Sequence, residues 1–144
     1  MENDKNRRKP VNRYIQHMLD ERKELLSLLI QLSHLEKNHA VPDDVEMLEE
    51  FCEVLVDYIA SAHFSLYERI VDGKERRKTV ADIARSIYPQ IEYSTEKILT
   101  FNEKYNADNQ DRKLENLATD LSEVGMILAS RIDLEDKLIA ALLE

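Results

Sequence analysis

The sequence predicts an all-α protein, an up-and-down bundle of four long helices. Three observations carry this. Gly occurs twice and Pro three times in 144 residues, so the chain lacks the turn signals that strands and hairpins need. Charged residues reach 34%, as long helices with solvated outer faces require. Apolar residues recur every three or four positions through four stretches joined by short connections.

Residues 1–10 read as a flexible polar tail carrying the basic run Lys5, Arg7, Arg8 and Lys9, and residues 11–144 as a single bundle domain. The first helix is expected from about Val11 to Lys37, with a stripe of Tyr14 or Ile15, Met18, Leu25, Leu28 or Leu29, Leu32 and Leu35. The charged run Asp20 to Glu24 interrupts that stripe for more than a turn. Asn38 can end the helix, and His39 to Pro42 forms the loop.

The second helix is expected to start at Asp43 or Asp44, either of which can cap it, and to stop before Gly73. Its stripe is Leu48, Cys52, Leu55, Ile59, Leu66 and Ile70. Its other faces also carry apolar groups (Phe51, Val54, Val56, Tyr58, Phe64, Tyr67), which predicts a central helix wrapped by the others. The third helix begins near Thr79, with Asp82 three positions on in the manner of a capping box. Pro89 lacks an N–H and crowds the preceding turn, so a kink or break is expected there. After a loop at Asn106 to Asp111, the last helix runs from about Asp111 to the end on Leu114, Leu117, Leu121, Val124, Leu128, Ile132, Ile139 and Leu142. Gly125 beside that stripe suggests close approach of a neighbouring helix.

The formal net charge is −9, which disfavours direct nucleic-acid binding and suits a basic protein partner. The one cysteine, Cys52, lies on an apolar stripe and reads as a small buried hydrophobe, in keeping with a reducing, cytoplasmic setting. No apolar run is long enough to span a membrane. Glu36 and His39 have the only Glu-x-x-His spacing of a di-iron bundle, at a helix end. With no Cys/His cluster and no phosphate loop either, no metal, no cofactor and no catalytic residue is assigned.

Two groups of polar residues stand out on the apolar pattern. Stepping about 100° per residue places His63 at the border of the core face and Glu135 on the core side. This predicts a polar core of His63, Tyr67, Glu135 and Asp136, with an acid meeting His63 or a tyrosine hydroxyl such as that of Tyr67. On the opposite side of the second helix, Asp57, Ser61, Phe64 and Glu68 line one strip. Two acids flanking an aromatic call for a cover, either another element or a basic, partly apolar partner. If the polar core instead converged on an open cavity, a bundle enzyme or ligand sensor would be the reading. An adaptor for another regulatory protein, using the same strip, is a third.

The run LVDYIASAHFSLYERI (Leu55 to Ile70) resembles the signature helix of the Rsd/AlgQ family, the regulators of sigma D. Asp57, Tyr58, Ser61, Ala62, His63, Phe64, Tyr67 and Glu68 carry the match. It is extended by Phe51-Cys52, by Met18, Leu19, Arg22, Lys23, Leu25 and Leu26, by Tyr88 to Glu92, and by Leu134 to Leu138. Met18 stands where the family has Trp, Ala62 where Gly is usual, and the chain ends soon after Leu143, short of a tail seen in relatives. The resemblance implies a helical bundle acting as an anti-sigma factor. Its partner would be the C-terminal, promoter-reading domain of the primary sigma factor of bacterial RNA polymerase, freeing core enzyme for other sigma factors as growth slows. It implies no catalysis, a cytoplasmic monomer or weak homodimer, and Asp57 as the first contact residue with Ser61, Phe64 and Glu68 beside it. If the signature residues shape the interior instead, the contacts lie elsewhere, for instance on the first helix. If the Met18 position touches the partner, the change from Trp alters affinity or partner choice.

Overall fold

The computed structural model describes the backbone of residues 2–34 and 42–144 and the side chains of residues 12–34 and 44–144. Four helices follow in order: α1 (Glu2–Ser33), α2 (Pro42–Val71), α3 (Lys78–Tyr105) and α4 (Leu117–Leu142). Asn38, the loop up to residue 41, the Glu36/His39 pair and the side chains of Asp43 and of the basic run at Lys5 to Lys9 lie outside the described residues. Where the sequence predicts a tail, α1 extends back to Glu2.

Consecutive helices are neighbours and α1 also packs on α4, so the four close into a ring; α1 and α3 sit on its diagonal. Cross-helix pairs run in opposite directions along every seam. Tyr14 meets Phe64 between α1 and α2, while Phe51 meets Phe101 and Tyr67 meets Tyr88 between α2 and α3. Ser94 meets Arg131 and Tyr105 meets Asp120 between α3 and α4. This is the up-and-down bundle that short connections dictate.

The core is one apolar cluster, with Leu25, Phe51, Leu55, Tyr58, Ile98, Tyr105, Leu128 and Leu138 fully buried. Each such side chain contributes roughly 1.5–3 kcal/mol by leaving water. Met18 is also fully buried, so an exchange at this position acts through packing and not through a surface contact. Cys52 is buried, and desolvation pushes its thiol up to about 12. The helix α2 is not wrapped on all sides. Glu50, Glu53, Asp57, Ala60, Phe64 and Glu68 face outward, so it is one member of the ring with a solvent side.

The helix ends show what local chemistry does to pattern. Gly73 has φ 71°, and the N–H groups of Gly73 and Lys74 reach back to the carbonyls of Ile70 and Arg69 at 3.2 and 2.8 Å. That is the paired closure that a glycine after a helix permits. Thr79 and Asp82 make no capping box; Arg77 is the N-cap residue and uses no side-chain cap, while Asp82 pairs with Arg85. Helix α3 carries Pro89 in its interior without ending there. Arg85 and Pro89 are both exposed, so water can satisfy the carbonyl that proline leaves unbonded. Helix α4 starts at Leu117, later than the expected Asp111. Asn106 holds the N–H groups of Asp108 and Asn109, and Arg112 bonds the Asn106 carbonyl and Glu49. Such side-chain bonds compete with a helical start.

Candidate partner-binding surface

The four strip residues lie on the outer side of the bundle. Asp57, Phe64 and Glu68 are exposed and Ser61 is half-buried. The carboxylates of Asp57 and Glu68 take part in no hydrogen bond or ion pair among the described residues. Phe64 is 46% exposed, an uncommon state for phenylalanine. It is not bare: Tyr14 of α1 packs edge-on against it, centroids 5.0 Å apart, and the Ser65 hydroxyl donates to the Tyr14 carbonyl. Tyr14 itself is 48% exposed, so two aromatics from two helices share one surface.

The α1 half of this surface was not assigned from the pattern, which left Tyr14 and Ile15 as alternatives for the core. Ile15 takes the core position and turns Tyr14 outward. One and two turns further along α1, His17 and Glu21 pair at 2.5 Å. Burial pushes the Glu21 carboxyl up; the charges of Asp57 and Glu24 push the same way, against the pull of His17. Its second oxygen is buried with no hydrogen-bond partner among the described residues. The surface therefore has aromatics at one end and crowded carboxylates at the other.

The predicted polar core needs correction. His63 is exposed; it stacks on Tyr67 at 5.9 Å and meets neither Glu135 nor Asp136. Ile59, Ala62 and Leu66 fill the core face of α2 at that level, and His63 falls just past its edge. Asp136 is also exposed, though Arg22 reaches it at 2.7 Å. Tyr67 is buried against His63 and Tyr88. Burial raises its hydroxyl, which has no hydrogen-bond partner among the described residues.

Glu135 is buried at the centre of a network that joins all four helices. Its Oε1 accepts from the Tyr58 hydroxyl of α2 and from Arg22 of α1, and its Oε2 accepts from Arg131 Nε at 3.0 Å. Arg131 also donates to Ser94 and Thr95 of α3 at 3.0 and 2.8 Å. A tyrosine hydroxyl does meet Glu135, but it belongs to Tyr58. Burial and then the charge of Glu135 raise that hydroxyl well above its ordinary value, so it stays a donor. Two arginines face two acids, so the group is electrically balanced; Arg131 and Glu135 are closed off from solvent, while Asp136 lies at the surface. Arg131 was missed although the stripe held the signal: it falls between Leu128 and Glu135 at helical spacing. Among the described residues no group of three or more His, Cys, Asp or Glu is placed to hold a metal ion, and no helix is long and apolar enough to cross a membrane.

The fold and surface define an all-α bundle whose polar interior is sealed and whose outer α1/α2 side is acidic and aromatic. Residues 1–143 match the family model described as regulator of RNA polymerase sigma(70) subunit, Rsd/AlgQ. The chain belongs to the Rsd/AlgQ family. It is 35% identical to the regulator of sigma D of Enterobacter sp. (strain 638), over 92% of this chain and 82% of that one. It is 34% identical to the regulator of sigma D of Yersinia enterocolitica, covering 89% and 79%, and to that of Escherichia coli O139:H28, covering 92% and 85%. No solved structure gives a significant match.

Proposed function

We propose that this chain is a cytoplasmic anti-sigma factor. It binds the primary sigma factor of RNA polymerase through that factor's C-terminal promoter-reading domain and withholds it from core enzyme as growth slows. Family membership supports the class of activity. The single observation that carries the mode of binding is the pair of free carboxylates, Asp57 and Glu68, flanking exposed Phe64. A promoter-reading helix-turn-helix domain is basic where it lies on phosphates, and an acidic surface with an aromatic anchor complements it. Binding of this kind needs neither catalysis nor a cofactor.

Calorimetric titration with the C-terminal domain of the host's primary sigma factor tests this. The affinity is expected to fall as salt rises, and Asp57→Ala to weaken it by roughly three- to tenfold. No heat at high micromolar concentrations of both proteins would sink the reading.

A further inference from the structure

The acidic strip does not stop at Asp57. Going back along α2, Glu53, Glu50 and Glu46 continue it at spacings of three and four, and all three are exposed. α1 keeps pace on the other side of the seam. Tyr14 lies against Phe64, Glu21 seven residues on feels the charge of Asp57, and Leu28 seven further lines a groove with Glu50. That groove is open to solvent, has a volume of about 420 Å³, and is floored by Leu28 and Met47 between walls that include Glu46, Glu50 and Glu53.

Glu21, Glu24, Glu46, Glu50, Glu53 and Asp57 have no Lys or Arg paired to any of them among the described residues. Glu49 also lines the groove, but its carboxylate is already taken by Arg112. One buried oxygen of Glu21 has no hydrogen-bond partner among the described residues. Apolar groups recur at both ends of the seam, the Tyr14/Phe64 pair at one and Leu28/Met47 at the other. The α2 segment between those ends, Met47 to Phe64, rises about 26 Å at ~1.5 Å per residue.

We propose that the whole α1/α2 seam is one docking groove for a single basic, amphipathic helix of about five turns. Its apolar side rests on the two apolar ends, and its arginines meet the carboxylates between them. The identity of that helix as part of a sigma factor rests on the function proposed above; its chemistry rests on the seam alone. Charge complementarity selects this occupant. A second copy of this chain would bring carboxylates to carboxylates if it used the same face, and a purely apolar helix would leave Glu50, Glu53 and Asp57 without a cation.

The test uses the full chain and two probes, the host's primary sigma factor and a 20-residue leucine/arginine amphipathic helical peptide. Two double variants are compared, Glu50→Gln with Glu53→Gln in the groove and Glu103→Gln with Glu123→Gln away from it. Calorimetry reads affinity, and amide NMR shifts map the peptide. The groove variant is expected to bind both probes about tenfold more weakly and with a shallower salt dependence, the control to bind unchanged. The peptide is expected to shift amides at both ends, around Tyr14 and Phe64 and around Leu28 and Met47. A sigma factor that responds to Asp57→Ala but not to the groove variant, with no peptide shifts around Met47, overturns the groove and leaves the anti-sigma reading standing. A sigma factor that gives no heat while the peptide fills the seam does the reverse.

Discussion

Glu135 is the residue on which the interior depends. It and Arg131 are 1% and 2% exposed, and removing a single partner from such a pair strands the other charge. Glu135→Ala is expected to lower stability by about 3–5 kcal/mol in urea unfolding. Tyr58→Phe, which removes only a hydroxyl, should lower it by about 1–3 kcal/mol. Equal losses for the two variants would mean that the carboxylate is not the centre. Gly125 predicts the opposite sign. A Cβ there would meet Leu29 of α1 at 3.6 Å, ordinary contact, so the close approach inferred from the sequence leaves room for a methyl group. Gly125→Ala is expected to raise stability by about 0.5–1 kcal/mol in the same measurement, through helix propensity alone.

Among the elements, the connections explain how the ends are held. Arg77, in the basic link before α3, donates to the carbonyls of Ala141, Leu142 and Glu144 at the end of α4, and Glu75 holds it by a 3.0 Å bond. Burial pushes the Glu75 carboxyl up, but the hydrogen bonds and charge of Arg77 outweigh it and leave it below its ordinary 4.5. Asp120 behaves alike: burial opposes its charge, and Lys104 and Tyr105 more than offset it, below an ordinary 3.8. Both pKa values are lower folded than unfolded. Their stabilisation is complete above the ordinary values and lost as pH falls through the lowered ones. Urea midpoints taken downward from pH 5 are therefore expected to fall less steeply in Glu75→Gln than in the wild type; identical slopes would refute the role given to Glu75. The glycine stop of α2 was legible because one residue type decides it. The late start of α4 was not, because it depends on Asn106 and Arg112 bonding backbone and side chains that no periodicity displays.

For the molecule as a whole, the bundle was readable from few glycines, many charges and four apolar stripes. The candidate surface was half readable. Asp57, Ser61, Phe64 and Glu68 share a helix, and helical spacing alone aligns them. Tyr14 and Glu21 belong to the same surface only through the antiparallel register of α1 on α2, a relation between helices that spacing within one helix does not contain. The interior partner is not legible for the same reason: helical spacing puts Glu135 on the core side of α4, where it is buried, but whether Tyr58, Tyr67 or His63 reaches it is settled by how α2 is rotated against α4. Rotation also sends Arg22, from the charged run that interrupts the apolar stripe of α1, into the network.

The four-helix network also bears on how this chain can change over generations. Loss of Glu135 strands Arg131, and loss of Arg131 leaves Glu135 short of its closest cation, so an intermediate that alters one without the other is penalised before any compensating change can arrive. The interior charges are therefore inherited as a block. The exposed carboxylates of the outer seam, Glu46, Glu50, Glu53 and Asp57, stand in water, and each can be exchanged without disturbing the fold. A lineage of such proteins can thus retune which partner it holds, one surface residue at a time, while the interior that carries the surface stays fixed.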